Sequence, residues 1–178
     1  MSQLDSILVL YTSQGGTAKS IAELFVSDDL PSVVKSPRLH DLTAYMKLDT
    51  DLSQLGKETL PVIFIVATCG QGDFPDNALP FMRIIRRMDK KYPADTPKDQ
   101  LPFANVKMLN LGLGDSNYDK FNGGIQQIEK YLTKLGCSKL LPTVLADDGI
   151  GLELGVSART IKRDWTMARA WMHEQLAH

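Results

Sequence analysis

The sequence predicts an α/β fold, in which a parallel sheet carries helices on both faces. Three observations predict it. Short apolar runs suited to buried strands alternate with segments of helical period. The strongest run, Leu60 to Ala67 (LPVIFIVA), is apolar throughout, as a central parallel strand covered on both faces requires. Small polar segments containing glycine follow the first, third and fourth strands. In open α/β sheets ligands bind there, beyond the carboxyl ends of the strands at a topological switch point.

The elements follow in order. Ile7 to Tyr11 (ILVLY) is a continuous apolar run of strand length. Thr12 to Ala18 is almost entirely hydroxyl, amide and glycine, and Ser20 to Asp29 is helical, with Ile21, Leu24 and Phe25 on one face. A strand, a tight polar loop and a helix start are the parts of an anion site. The loop offers backbone N–H groups, the helix start adds partial positive charge, and Ser13 and Thr17 add hydroxyls. An ordinary turn capped by Thr17 or Ser13 would read the same way.

The spacing narrows the ligand. A Walker loop places lysine directly after its last glycine, whereas Thr17 and Ala18 separate Gly16 from Lys19. Gly15-Gly16 does not supply the G-x-G-x-x-G of a dinucleotide site. A monophosphate held mainly by neutral donors remains.

Pro31 breaks the chain after the first helix, and Val33 to Arg38 reads as a weak strand near a sheet edge. Leu39 to Gly56 is polar and reads as an irregular connection with one helical turn. After the central strand, Thr68 to Asn77 (TCGQGDFPDN) forms the second loop, with Asp76 or Asn77 placed to cap a helix over Ala78 to Lys90. The exposed side of that helix carries Arg83, Arg86, Arg87, Lys90 and Lys91. The last of these complement the helix dipole; the run as a whole would also suit an acidic partner. Tyr92 to Pro102 reads as an exposed insertion. Asn105 to Leu111 is the fourth strand, Gly112 to Asn122 (GLGDSNYDKFN) the third loop, and Gly124 to Leu135 a helix stopped by Gly136. Leu140 to Leu145 is a fifth strand, placed at an edge because Pro142 interrupts it. Asp147 to Leu154 is a loop, and Ser157 to Leu176 a final helix with Ile161, Trp165, Ala168 and Met172 on one face.

Bulk properties exclude several classes. The 178 residues suit one domain, and a formal net charge of −1 supplies no field for nucleic acid or an anionic membrane. No apolar run approaches the ~20 residues of a membrane span, and the N-terminus lacks the basic start of a signal peptide. Cys69 and Cys137 read as reduced thiols of a cytoplasmic protein, and the scattered histidines form no metal-ligand spacing.

Taken together, YTSQGGTAKSIAE, ATCGQGDFPDNA, LGLGDSNYDKFN and LADDGIGLEL resemble the FMN-binding domain of the NADPH-dependent diflavin reductases. The motifs stand nearest to the methionine synthase reductase and cytosolic iron–sulfur-assembly branches. The resemblance implies a flavodoxin-like fold: a three-layer sandwich with a five-stranded parallel sheet of order 2-1-3-4-5 (flavodoxin itself being the standard example of FMN at the switch point). It implies one domain over residues 1–178, excised from a longer reductase, that takes electrons from an FAD domain reduced by NADPH and passes them singly to an acceptor protein.

By the same resemblance, Ser13, Gln14, Gly15, Gly16, Thr17 and Ala18 would hold the FMN phosphate. Thr68, Cys69, Gly70, Gln71 and Gly72 would run along one side of the flavin ring, with the Gly70 carbonyl the one that turns towards the ring when it is reduced. Leu113, Gly114, Asp115, Asn117 and Tyr118 would line the other side, with Tyr118 stacked on the ring. Phe121 and Asn122 would support that loop and the ribityl chain, and Asp147 would close the edge.

Three positions depart from the pattern. Gly15 stands where a threonine is common, Lys19 replaces a glutamate and so adds a cation near the phosphate, and Cys69 replaces a second aromatic ring. An aromatic stack contributes about 0.5–1.5 kcal/mol beyond area burial, so FMN binding is expected to be weaker or differently tuned. A stand-alone flavodoxin, or an interaction module on this fold that has lost its flavin, are the competing readings. A signalling receiver would need acidic residues where Thr12, Ser13, Thr68 and Cys69 stand.

Overall fold

The computed structural model describes residues 4–32, 34–117 and 119–147. Strands β1 (Leu8–Thr12), β2 (Arg38–Asp41), β3 (Val62–Ala67), β4 (Lys107–Gly114), β5 (Ser138–Lys139) and β6 (Val144–Asp147) form one parallel sheet. Its order is β2-β1-β3-β4-β5, and β6 pairs with the same edge of β4 as β5. Helices α1 (Thr17–Leu24), α2 (Leu42–Leu48), α3 (Leu79–Lys91) and α4 (Gly123–Lys134) connect them. The expected flavodoxin-like order is therefore present, with an additional strand.

Alternation along the strands divides the core in two. Leu8, Leu10, Phe64 and Met108 face α2, α3 and α4, while Val9, Ile63, Ile65, Leu109 and Leu111 lie on the face of α1. A strand buried on both faces must be apolar at every position, which is why Val62 to Val66 could be read without ambiguity.

The second strand lies further along the chain than expected, at Arg38–Asp41 rather than Val33 to Arg38. Pro37 cannot donate to a ladder, and pairing with β1 begins only after it, at Leu8↔Arg38. The following stretch is also more regular than its polarity suggested. Asp41 caps α2 by accepting the Ala44 N–H at 2.9 Å, and Leu42, Tyr45 and Met46 are buried on one side. Asp49, 4% exposed, then accepts the Tyr45 hydroxyl and the N–H groups of Gln54 and Leu55, folding the polar turn onto the core.

The predicted fifth strand is two short strands that flank Leu140–Thr143. The break falls at Pro142, as its missing N–H requires. A clasp bridges the gap: Glu129 of α4 accepts Lys139 Nζ at 2.6 Å, Asn110 Nδ2 at 3.2 Å and the Thr143 hydroxyl. Helix α4 ends as expected, with Gly136 at φ +104° and the bonds Gly136 N–H to Thr133 O and Cys137 N–H to Leu132 O. Helix α1 begins three residues earlier than Ser20 and passes into a π-helical stretch over Phe25–Asp29. Neither Asp76 nor Asn77 caps α3; a 3₁₀ turn over Asp76–Ala78 leads into it, with Pro80 in its first turn. The 92–102 insertion is mostly exposed. Neither cysteine forms a disulfide, and burial pushes the Cys137 thiol up to about 12. The expected final helix, 157–176, lies outside the described residues.

Candidate functional site

The three polar loops start side by side because the strands before them end level. Thr12 pairs with Val66 and Ala67 pairs with Leu113. Connections leave β1 towards β2 on one side and β3 towards β4 on the other, so the switch point lies between β1 and β3.

Thr12, expected as the first residue of the loop, is the last residue of β1 and ties these ends together. Fully buried at 0% exposure, its hydroxyl accepts the Ala67 N–H at 3.1 Å and faces the Ala67 carbonyl at 3.5 Å. A threonine ending an apolar run, immediately before the loop, was the available signal.

The first loop is open. Ser13 Oγ accepts the Gly16 N–H at 3.0 Å, which closes the turn. Gly16 takes φ +94°, a conformation that disfavours any side chain, and hands the chain directly to α1 at Thr17. No side chain caps the helix, and the first N–H groups of a helix have no intrahelical partner. A methyl group on Gly15 or Gly16 would meet nothing within 4 Å. Ala18 is buried, so its side chain packs under the loop. Lys19 does not lean towards the loop as expected; its Nζ lies 3.7 Å from Glu23, one turn further along α1.

The second and third loops interlock. Thr68 donates its N–H to Leu113 O at 2.8 Å and accepts the Gly124 N–H on Oγ1 at 3.2 Å, joining β3, β4 and the start of α4. Cys69 is half-buried, Gly70 and Gln71 are exposed, and Gly72 is buried. Leu113 and Gly114, read as loop, belong to β4, and the Leu113 side chain is 1% exposed in the core. Asp115 Oδ1 accepts both the N–H and the side-chain amide of Asn117, at 2.8 and 2.7 Å. Phe121 is half-buried, and its carbonyl accepts the Gln126 side chain.

Asn122 is scaffold. At 0% exposure and φ 55°, it donates Nδ2 to Ala146 O at 3.3 Å, and its backbone packs on Gly114. Its Oδ1 is buried with no hydrogen-bond partner among the described residues. Asp147 pairs by its backbone with Gly114, at the end of β6. Tyr118 lies outside the described residues. Arg86, counted among the exposed cations, bonds Gln127 at 3.1 Å and lies over the rings of Phe74 and Tyr131, anchoring the end of the second loop to α3 and α4.

The donor set suits a phosphate monoester: backbone N–H groups at the start of an eight-residue helix, two hydroxyls and uncrowded glycines. The level ends of β3 and β4 supply two loop walls beside it. Among the described residues there is no group of three His, Cys, Asp or Glu that could hold a metal ion, and no helix long and apolar enough to cross a membrane.

Residues 9–155 match the flavodoxin family. The chain belongs to that family. Among similar proteins, bovine methionine synthase reductase (Bos taurus) is 38% identical over 149 residues, which is 84% of this chain and 19% of the relative. NADPH-dependent diflavin oxidoreductase 1 of Danio rerio is 39% identical over 145 residues, 80% of this chain and 22% of the relative. The flavodoxin domain thus spans about a fifth of the length of these curated relatives. A flavodoxin of Streptococcus pneumoniae TIGR4 superposes with a TM-score of 0.59 at 19% identity, covering 80% of this chain and 84% of that one. A Pseudomonas aeruginosa flavodoxin, in a cysteine-to-serine variant, covers 97% of both chains at a TM-score of 0.54 and 21% identity. These two show the fold alone. Residues 143–178 also match the ECF sigma factor family, over a C-terminal span that overlaps only the end of the flavodoxin match.

Proposed function

We propose that this flavodoxin domain binds FMN and serves as the electron-transfer module of an NADPH-dependent diflavin reductase. The observation that carries the reading is the juxtaposition of an open phosphate loop on β1 with two interlocked loops on β3 and β4. FMN, when bound, supplies the redox chemistry; the protein supplies orientation and electrostatics.

In this reading Ser13, Thr17 and the N–H groups at the start of α1 hold the phosphate, with Gln14, Gly15, Gly16 and Ala18 shaping the turn. Thr68 to Gly72 form one wall of the ring site. Gly114, Asp115, Asn117 and Tyr118 form the other, Phe121 and Asn122 support it, and Asp147 lies at its edge. Asp73, Asp76, Asp115 and Asp119 lie on these loops. They give the rim a negative field that disfavours added negative charge in the site and steers a basic partner.

Electrons arrive from an FAD/NADPH-binding domain and leave to an acceptor protein in the cytoplasm, with this chain as the carrier between them. The flavin function is assigned to the span of the flavodoxin match, which ends at residue 155. Titration with FMN, followed by flavin fluorescence, tests the reading: saturable quenching at one FMN per chain is expected, and no binding would refute it. NADPH turnover by this chain alone is expected to be absent, since its match covers only about a fifth of those reductases.

A further inference from the structure

The loop after β3 is itself divided into a held half and a free half. Cys69 N–H donates to Asp73 O at 2.9 Å, while Cys69 O accepts the N–H groups of Gly72 and Asp73 at 3.1 and 2.8 Å. Gly72 is buried beneath the side chain of Lys120. A methyl group built on Gly72 would lie 2.4 Å from Lys120 Cβ and 2.9 Å from its Cδ. From another side Gly123 presses on the Gly72 carbonyl, 2.8 Å from where a Gly123 methyl group would stand. Gly70 differs on each count: it is exposed, takes φ +48°, and has nothing within 4 Å of its own would-be Cβ. Lysine suits this position because its methylene stem covers apolar surface while its ammonium stays in water.

We propose that Lys120 is a positioning residue whose aliphatic stem latches Gly72, confining motion in this loop to the Gly70–Gln71 peptide. The latch stands on the packing geometry; its redox consequence rests on the flavin reading above. A wall that turns one peptide while its base stays fixed presents different hydrogen-bonding groups to different forms of a bound ring. A protein shifts such an equilibrium only by its differential affinity for the two forms, so the latch sets part of the midpoint potential.

Two variants of the 178-residue chain separate packing from charge. Lys120→Ala removes the stem beyond Cβ; Lys120→Met keeps a stem and removes the charge. In the flavin-free chain, hydrogen exchange of the Gly72 and Asp73 amides is expected to quicken about tenfold in Lys120→Ala and to stay near the parent rate in Lys120→Met. With FMN bound, the ratio between its affinities in successive redox states, read as one-electron midpoint potentials, is expected to change severalfold in Lys120→Ala and to be restored in Lys120→Met. Unchanged exchange in Lys120→Ala, or equal changes in both variants, would overturn the latch. If the parent chain binds no FMN, the flavin reading and the redox consequence fall, and the exchange comparison still decides the latch.

Discussion

At the end of β1 the chain turns through Ser13 to Gly16 on a single hydroxyl contact, with open space around both glycines. At the ends of β3 and β4 three glycines are pressed against backbone: Gly123 on Gly72, Gly124 on Ala67, and Gly114 on Asn122. The β1 loop is open around its glycines, whereas the β3 and β4 loops are packed against each other. In the FMN reading proposed above, the difference follows from what each must hold. A phosphate is gripped by N–H groups that must remain free, whereas a flat ring needs walls whose spacing is set in advance.

The contrast predicts opposite responses to the same small change. Gly123→Ala places a methyl group 2.8 Å from the Gly72 carbonyl and 3.1 Å from its Cα, where no flexible side chain can yield. Overpacking of this kind costs about 2–3 kcal/mol, so its urea midpoint is expected to fall well below the parent's. An unchanged midpoint would mean that the two loops are not locked together.

On the open side the effect is on binding. Thr17→Ala removes a hydroxyl from the phosphate loop and is expected to weaken FMN about tenfold, the scale of one hydrogen bond to a charged group. Lys19→Ala is expected to change affinity by less than about twofold, because Lys19 pairs with Glu23 in solvent. The reverse ranking in FMN titrations would show that the lysine, rather than the turn, holds the phosphate.

The third expectation concerns the clasp that holds α4 to the interrupted edge strand. Burial raises the Glu129 carboxyl, but hydrogen bonds from Lys139, Thr143 and Asn110 outweigh it and hold the group below its usual 4.5. A carboxyl whose folded value is depressed contributes stability above its unfolded value, and loses it as pH falls through the folded one. Glu129→Gln should therefore flatten the fall in urea midpoint below about pH 4.5 while costing less than about 1 kcal/mol at neutral pH, since the pair is partly in solvent. Parallel pH profiles for parent and variant would remove Glu129 from the account. Smallest of all, Gly15→Ala should leave the urea midpoint within about 0.5 kcal/mol of the parent, there being nothing for its methyl group to strike.

What could be read from residues alone tracks how strongly each segment is constrained locally. The β3 run was unambiguous because burial on two faces excludes polar residues from Val62 to Val66. The end of α4 was legible because a left-handed residue is needed there and Gly136 supplies it. Strand β2 was not: Arg38, Leu39, His40 and Asp41 are all half-buried at the sheet edge, so neither an apolar run nor an alternation marks them. Helix α2 was hidden by its polar surroundings, although Asp41 followed by Leu42, Tyr45 and Met46 is a cap followed by one apolar face.

Hydrophobic period and turn chemistry are properties of neighbouring residues, so the order of residues was enough for the fold class, the strand order implied by its motifs and the three loops of the site. Which loop residues face outward and which hold the others was settled by packing across the sheet. Thr12, Lys120 and Asn122 take their roles from partners 55, 48 and 24 positions away: the Ala67 peptide, the Gly72 backbone and the Ala146 carbonyl. Contacts of that separation leave no periodic trace in the chain, since they exist only once the ends of β1, β3, β4 and β6 stand level.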